Sequence, residues 1–154
     1  MLTGTDDCGG TFTDATGVLA SPNYPANYRN RDACAYFVKV RKAAEIVFYF
    51  SDIETEVFKD VIEFGRGDEV DIRNGVVDSW EGNLTTDNQL PGPFSVATTD
   101  GNVWFYWSTD RNIPQKGWEL RYAAGEFWVV SCFVACLHRP LYAISANDKC
   151  DTIK

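Results

Sequence analysis

Tyr36-Phe37-Val38-Lys39-Val40 alternates: Tyr36, Val38 and Val40 fall on one face, Phe37 and Lys39 on the other. Ile46-Val47-Phe48-Tyr49-Phe50 repeats the pattern, with Ile46, Phe48 and Phe50 sharing a face. A period of two is that of a half-buried strand, because successive side chains leave a strand on opposite sides. Val61 to Phe64, Phe94 to Thr98, Val103 to Trp107 and Trp118 to Tyr122 read as further short strands. Turn chemistry separates them: Gly65-Arg66-Gly67-Asp68, Asn74-Gly75, Pro91-Gly92-Pro93 and Asp100-Gly101-Asn102. No segment before residue 125 carries a helical period, and no internal repeat or low-complexity tract interrupts the rhythm. Many short strands with frequent turns predict an all-β protein, an antiparallel sandwich or barrel.

Composition bounds the reading. The chain has 154 residues, enough for one domain with a real core and at most a short extension. Charged residues are 23% and hydrophobic residues 45%, which excludes a disordered chain. Aromatics at 14% favour strands. With 14 Lys and Arg against 22 Asp and Glu, the net charge is −8. Such a surface repels phosphate backbones, so a nucleic-acid partner is not expected; cationic partners and hard metal ions suit it. No apolar run reaches the ~18–20 residues of a membrane span. Met1 to Asp7 has neither a basic start nor an apolar stretch and is not read as a secretory signal. The expectation is a mature or excised fragment, or a chain with an incomplete start.

Composition shifts near Gly125. Phe127-Trp128-Val129-Val130-Ser131-Cys132-Phe133-Val134-Ala135-Cys136-Leu137-His138 departs from the strand-and-turn rhythm and holds the chain's only His. This tail is open between a short packed element and a poorly ordered extension. Cys132, Cys136, His138 and Cys150 lack a standard zinc spacing; a disulfide to Cys150 with one free thiol, or unpaired Cys acting as small hydrophobes, fits better.

Four local patterns together resemble a CUB domain. They are Cys8-Gly9-Gly10; Ser21-Pro22-Asn23-Tyr24-Pro25 followed by Tyr28; Cys34-Ala35-Tyr36-Phe37-Val38; and Trp107-Ser108-Thr109-Asp110 with Gly117-Trp118-Glu119-Leu120-Arg121-Tyr122. The resemblance covers residues 8–124, leaving 125–154 as a C-terminal extension. It implies a jelly-roll β-sandwich of two antiparallel sheets, in agreement with the alternation. Cys8 and Cys34 match the family's first disulfide pair, which implies an oxidising, extracellular setting; the residues alone leave two reduced buried thiols open. The family's second cysteine pair is missing, and the loop before Asp60 is shortened at the same place.

The resemblance also implies one Ca²⁺ at one end of the sandwich. A hard divalent ion takes six to eight oxygens, and carboxylates on separate loops can converge on it. Counting without gaps from Cys34, the family Glu falls on Glu56, with Glu54 the alternative if the strand slips by two. Asp60 matches the second carboxylate and Asp110 the third, in what the family pattern makes a final hairpin loop. Asn112 would lie beside the ion and Tyr24 would orient a carboxylate. A partner Lys or Arg would then dock on Glu56, Asp110 and Tyr24.

Asn83-Leu84-Thr85 is an N-glycosylation acceptor sequence. Trp80 nearby, expected at the surface, is assigned to packing rather than to a sugar platform. Arg66-Gly67-Asp68 is read as an ordinary turn, not as an integrin-type ligand. No nucleophile motif accompanies His138 and no His-Glu-x-x-His helix appears, so catalysis is not expected. The resulting function is a non-catalytic, calcium-dependent extracellular interaction module. The alternatives are a calcium-independent carbohydrate or glycoprotein binder like the spermadhesins, and an accessory fragment of a secreted astacin-like metalloprotease.

Overall fold

Nine strands run through the described residues, 8–97 and 102–125 of the computed structural model: β1 (Gly10–Phe12), β2 (Thr16–Ala20), β3 (Ala33–Lys39), β4 (Glu45–Glu54), β5 (Val61–Arg66), β6 (Val76–Trp80), β7 (Phe94–Ala97), β8 (Asn102–Ser108) and β9 (Gly117–Gly125). They form two sheets, one of five strands in the order β1-β3-β8-β5-β6 and one of four in the order β2-β9-β4-β7. The expected sandwich is therefore observed. One pairing departs from it: β1 runs parallel to β3, while every other pair is antiparallel. The Cys8–Cys34 disulfide forms, with the two Cα atoms 5.4 Å apart, and ties the chain ahead of β1 to β3.

Alternation turns into burial as the sequence predicts. In β3, Cys34, Tyr36 and Val38 are buried and their neighbours are half-exposed. In β4, Ile46, Phe48 and Phe50 face the core until a bulge between Phe50 and Asp52 shifts the register. A bulge inserts one residue and re-aims those that follow, so Ile53 rather than Asp52 joins the core. β8 lies between β3 and β5, and Val103 to Trp107 are all buried. The core is aromatic: Phe48 meets Phe105 at 5.1 Å between ring centroids, and Phe50 meets Trp80 at 4.8 Å. Trp80 is thus buried rather than exposed, because β6 turns its last side chain inward.

Three strands escape the alternation. β1 has three residues, β2 buries only Leu19, and the first four residues of β6 are exposed. Edge strands with solvent on one face carry little apolar pattern.

Strand register sets the end of the sandwich. Ala33 of β3 and Val61 of β5 both pair with Ser108 of β8, so Asp32, Asp60 and Thr109 leave the five-stranded sheet level with one another. In the other sheet Glu54 of β4 pairs with Gly117, and Ala20 of β2 pairs with Glu119. The segments 21–32, 55–60 and 109–116 therefore each cross from one sheet to the other. The expected final hairpin is corrected here: β8 and β9 lie in different sheets and do not pair.

Candidate metal centre

The crossovers 55–60 and 109–116 carry the acidic residues. Glu56, Asp60 and Asp110 each offer a carboxylate oxygen within 4.8 Å of the others. The turn within 55–60 brings the first two together. Glu56 C=O accepts from the Asp60 N–H at 3.2 Å and the Lys59 N–H at 3.4 Å, a single helical-type turn. Residues four apart on such a turn lie on the same side.

Asp60 is fully buried. Its Oδ2 accepts from the Tyr28 hydroxyl at 2.6 Å and its Oδ1 from the Asp110 N–H at 2.8 Å. The Tyr28 ring stands edge-on to Trp107 at 5.1 Å, so the core itself holds the hydroxyl in place. Burial and the Asp60 hydrogen bond push the Tyr28 phenol far up, so it donates at any ordinary pH. The same oxygen accepts the Glu56 N–H at 3.1 Å. Asp110 closes a local turn, its Oδ1 accepting the Asn112 N–H at 2.7 Å, and its C=O accepts the Arg31 N–H at 2.7 Å. Glu56 and Asp110 are half-buried and line the outer side of the triplet. Burial, then the neighbouring Asp110 and Asp60 charges, raise the Glu56 carboxyl above its ordinary value against a smaller opposing pull from Lys59. Glu56 Oε2 is buried with no hydrogen-bond partner among the described residues.

Two of the expected participants sit elsewhere. Glu54 is the last residue of β4, still in the ladder, and its Oε1 takes the Thr86 N–H at 2.8 Å and the Thr86 hydroxyl at 2.6 Å. Glu56 lies past the strand end, in the turn, which separates the two residues the sequence leaves equivalent. Tyr24 donates to Asp52 Oδ2 at 2.9 Å, and the Lys116 ammonium lies over its ring at 5.6 Å. The orienting part falls to Tyr28, whose only sequence signal is its place just after the Pro-Asn-Tyr-Pro run. Asn112 contributes its backbone N–H to the Asp110 turn.

Other sequence features find structural uses. The Thr85 hydroxyl donates to Asp52 Oδ1 at 2.6 Å and accepts the Ile53 N–H at 2.8 Å, while Asn83 is half-buried. Asp68 pairs with Lys39 at 3.0 Å and accepts from Asn102 at 2.8 Å, so the Arg66-Gly67-Asp68 turn has its carboxylate engaged. Cys132, Cys136, His138 and Cys150 lie outside the described residues, as does the Asp100-Gly101 turn.

An all-oxygen set with three formal negative charges, one oxygen of it buried and unpaired, fits a hard divalent cation and not a soft one. Mutual repulsion among the three is the cost that such an ion relieves.

The described residues form a two-sheet β-sandwich with acidic crossovers at one rim. The family model described as the CUB domain matches residues 8–122, and the chain belongs to that family. The CUB domain is a non-catalytic protein-interaction module. The chain is 47% identical over 118 residues to fibropellin-3 of Strongylocentrotus purpuratus, covering 77% of this chain and 20% of that protein. It thus spans about a fifth of that relative's length. Among solved structures, it resembles the CUB1-EGF-CUB2 domain of human MASP-1/3 at TM-score 0.61 and 24% identity, covering 77% of this chain and 43% of that one. It also resembles a MASP-1 CUB2 domain bound to Ca²⁺, at TM-score 0.57 and 23% identity, covering 76% and 99% respectively.

Proposed function

We propose that the rim binds one Ca²⁺ through Glu56, Asp60 and Asp110, with Asn112 beside them, and that the loaded rim docks a Lys or Arg of an extracellular protein partner. The observation that carries the reading is the gathering of three carboxylates within 4.8 Å from two crossovers, one oxygen of Glu56 buried without a partner. The Ca²⁺-bound state of the similar MASP-1 CUB2 domain supports the choice of ion. When bound, the ion supplies charge neutralisation and a fixed geometry for the carboxylates. The residues divide the work by depth. Asp60, held by Tyr28 and the Asp110 N–H, is an inner anchor that a partner does not reach. Glu56 and Asp110 are half-buried at the rim and present the acceptor oxygens. Extracellular calcium modules bind at ~10⁻⁴–10⁻³ M, which matches the medium outside cells. Asn83 is the acceptor for an N-linked glycan in the same setting.

Calorimetric calcium titration of the full chain tests the reading. One equivalent should bind, and Asp110→Ala should abolish the heat. Wild-type protein that takes up no calcium removes the proposal and favours a calcium-independent, carbohydrate-binding module instead.

A further inference from the structure

The two most exposed large apolar side chains among the described residues are Phe58 at 82% and Ile113 at 61%. Phe58 stands between Glu56 and Asp60 in one acidic crossover, and Ile113 follows Asp110 in the other. Val57 adds a third, 45% exposed. Both Phe58 (φ 62°) and Ile113 (φ 44°) adopt the left-handed backbone region. For a β-branched or bulky residue that is a true outlier, and glycine or asparagine would take either position at less cost. The fold thus holds two large apolar groups in water, each on a strained backbone, on the two loops whose carboxylates meet.

We propose that Phe58 and Ile113 form an apolar collar around the carboxylate triplet that selects a protein segment in which a Lys or Arg is flanked by apolar side chains. This rests on the reading of the rim as a cation acceptor and adds what sets its specificity. Charge complementarity argues for this occupant: the triplet attracts a cation, and the collar gives the neighbours of that cation something to bury. An apolar anchor beside a desolvated charge pair is where interfaces concentrate their binding energy. The exposed Lys59 and Arg111, within two residues of Phe58 and Ile113 along the chain, disfavour a uniformly basic segment and so sharpen the preference for apolar flanks. A net charge of −8 disfavours an anionic lipid surface, the other target of exposed aromatic residues.

A bead-bound peptide library with a fixed central Lys and random flanks, probed with the labelled full chain in calcium and in chelator, tests the inference. Apolar residues should be enriched about tenfold at the flanking positions, and the Phe58→Ser, Ile113→Ser double variant should lose that enrichment. Phe58→Leu, which keeps an apolar group there, should retain it. No retained beads, retention without apolar preference, or a preference that survives the double variant overturns the collar. So does retention on phosphatidylserine vesicles in place of peptides. Calcium titration of the same samples separates the two readings. A chain that takes up no calcium yet still selects apolar-flanked Lys loses only the calcium reading; one that takes up calcium but shows no preference loses only the collar.

Discussion

The Tyr28 hydroxyl and Asp60 Oδ2 are 2.6 Å apart, and Asp60 is fully buried. A carboxylate in that position needs its donors, since a hydrogen bond to a charged group contributes about 1.5–3 kcal/mol and its loss leaves a desolvation cost. Tyr28→Phe keeps the ring against Trp107 and removes only the hydroxyl. The expected outcome is a loss of about 1.5–3 kcal/mol in urea unfolding. Calcium affinity should also fall, because Asp60 loses its fixed rotamer and the Glu56 N–H loses its acceptor. Paired denaturation and calorimetry on the same variant check both.

Glu54 and Glu56 make opposite predictions although they are two residues apart. Glu56→Gln removes a formal charge and should weaken calcium binding by at least about tenfold, since affinity at such sites follows ligand charge count. Glu54→Gln changes the clasp on Thr86 and a charge interaction with Lys116, and should leave calcium affinity within about twofold of wild type, because exposed polar contacts contribute little. Calorimetric titrations that rank the two the other way would return the site to the strand end.

The strands of the core were legible because burial on one face writes a period of two into the sequence, as in Tyr36-Phe37-Val38. The same rule hid β6, whose Val76 to Ser79 face solvent. The carboxylates came from the family resemblance, and periodicity alone would not have found them. What no alternation or spacing encodes is how far each strand runs. The bulge at Ser51 and the one-turn loop after Glu56 together decide that Glu56, not Glu54, reaches Asp60. The partner of Tyr24 was hidden for a related reason. It sits within the recognisable motif, but Asp52 and Lys116 capture it on the four-stranded-sheet side. Tyr28 reaches the site with its ring against Trp107 and its N–H on the Gln115 C=O, contacts that spacing does not encode.

Gly117 opens β9 with φ 94°, and a Cβ there would stand 1.9 Å from Ser21 Oγ. That contact is part of a close crossing, with the Trp118 N–H donating to Ser21 Oγ at 3.1 Å and the Ser21 N–H to the Trp118 C=O at 3.0 Å. Gly117→Ala combines left-handed strain with a clash against a buried side chain and should cost about 1–3 kcal/mol. Thermal unfolding measures the loss. The Asp110 loop leads directly into Gly117, so calcium affinity should drop alongside stability.

Asp52 makes a fourth prediction through pH. It is 3% exposed, and burial pushes its carboxyl up; hydrogen bonds from Lys116, Thr85 and Tyr24, with the Lys116 charge, outweigh that and hold it below its ordinary value of 3.8. A carboxylate whose folded pKa is depressed contributes stability that is fully present above its unfolded pKa and is lost as pH falls through the folded value. The wild-type chain should therefore lose stability on acidification below about pH 4. Asp52→Asn should be less stable at neutral pH and flatter across the acid window, because the group that titrates is gone. Lys116→Met removes one partner of the pair. Its side chain is 44% exposed and the pair is screened by water, so the cost should be only about 1 kcal/mol. The acid slope should shrink in the same direction as for Asp52→Asn. Urea unfolding of the three proteins across the acid range reads all of this, and a wild-type curve no steeper than that of Asp52→Asn would show that the Tyr24–Asp52–Lys116 clasp does not carry the acid sensitivity of the rim.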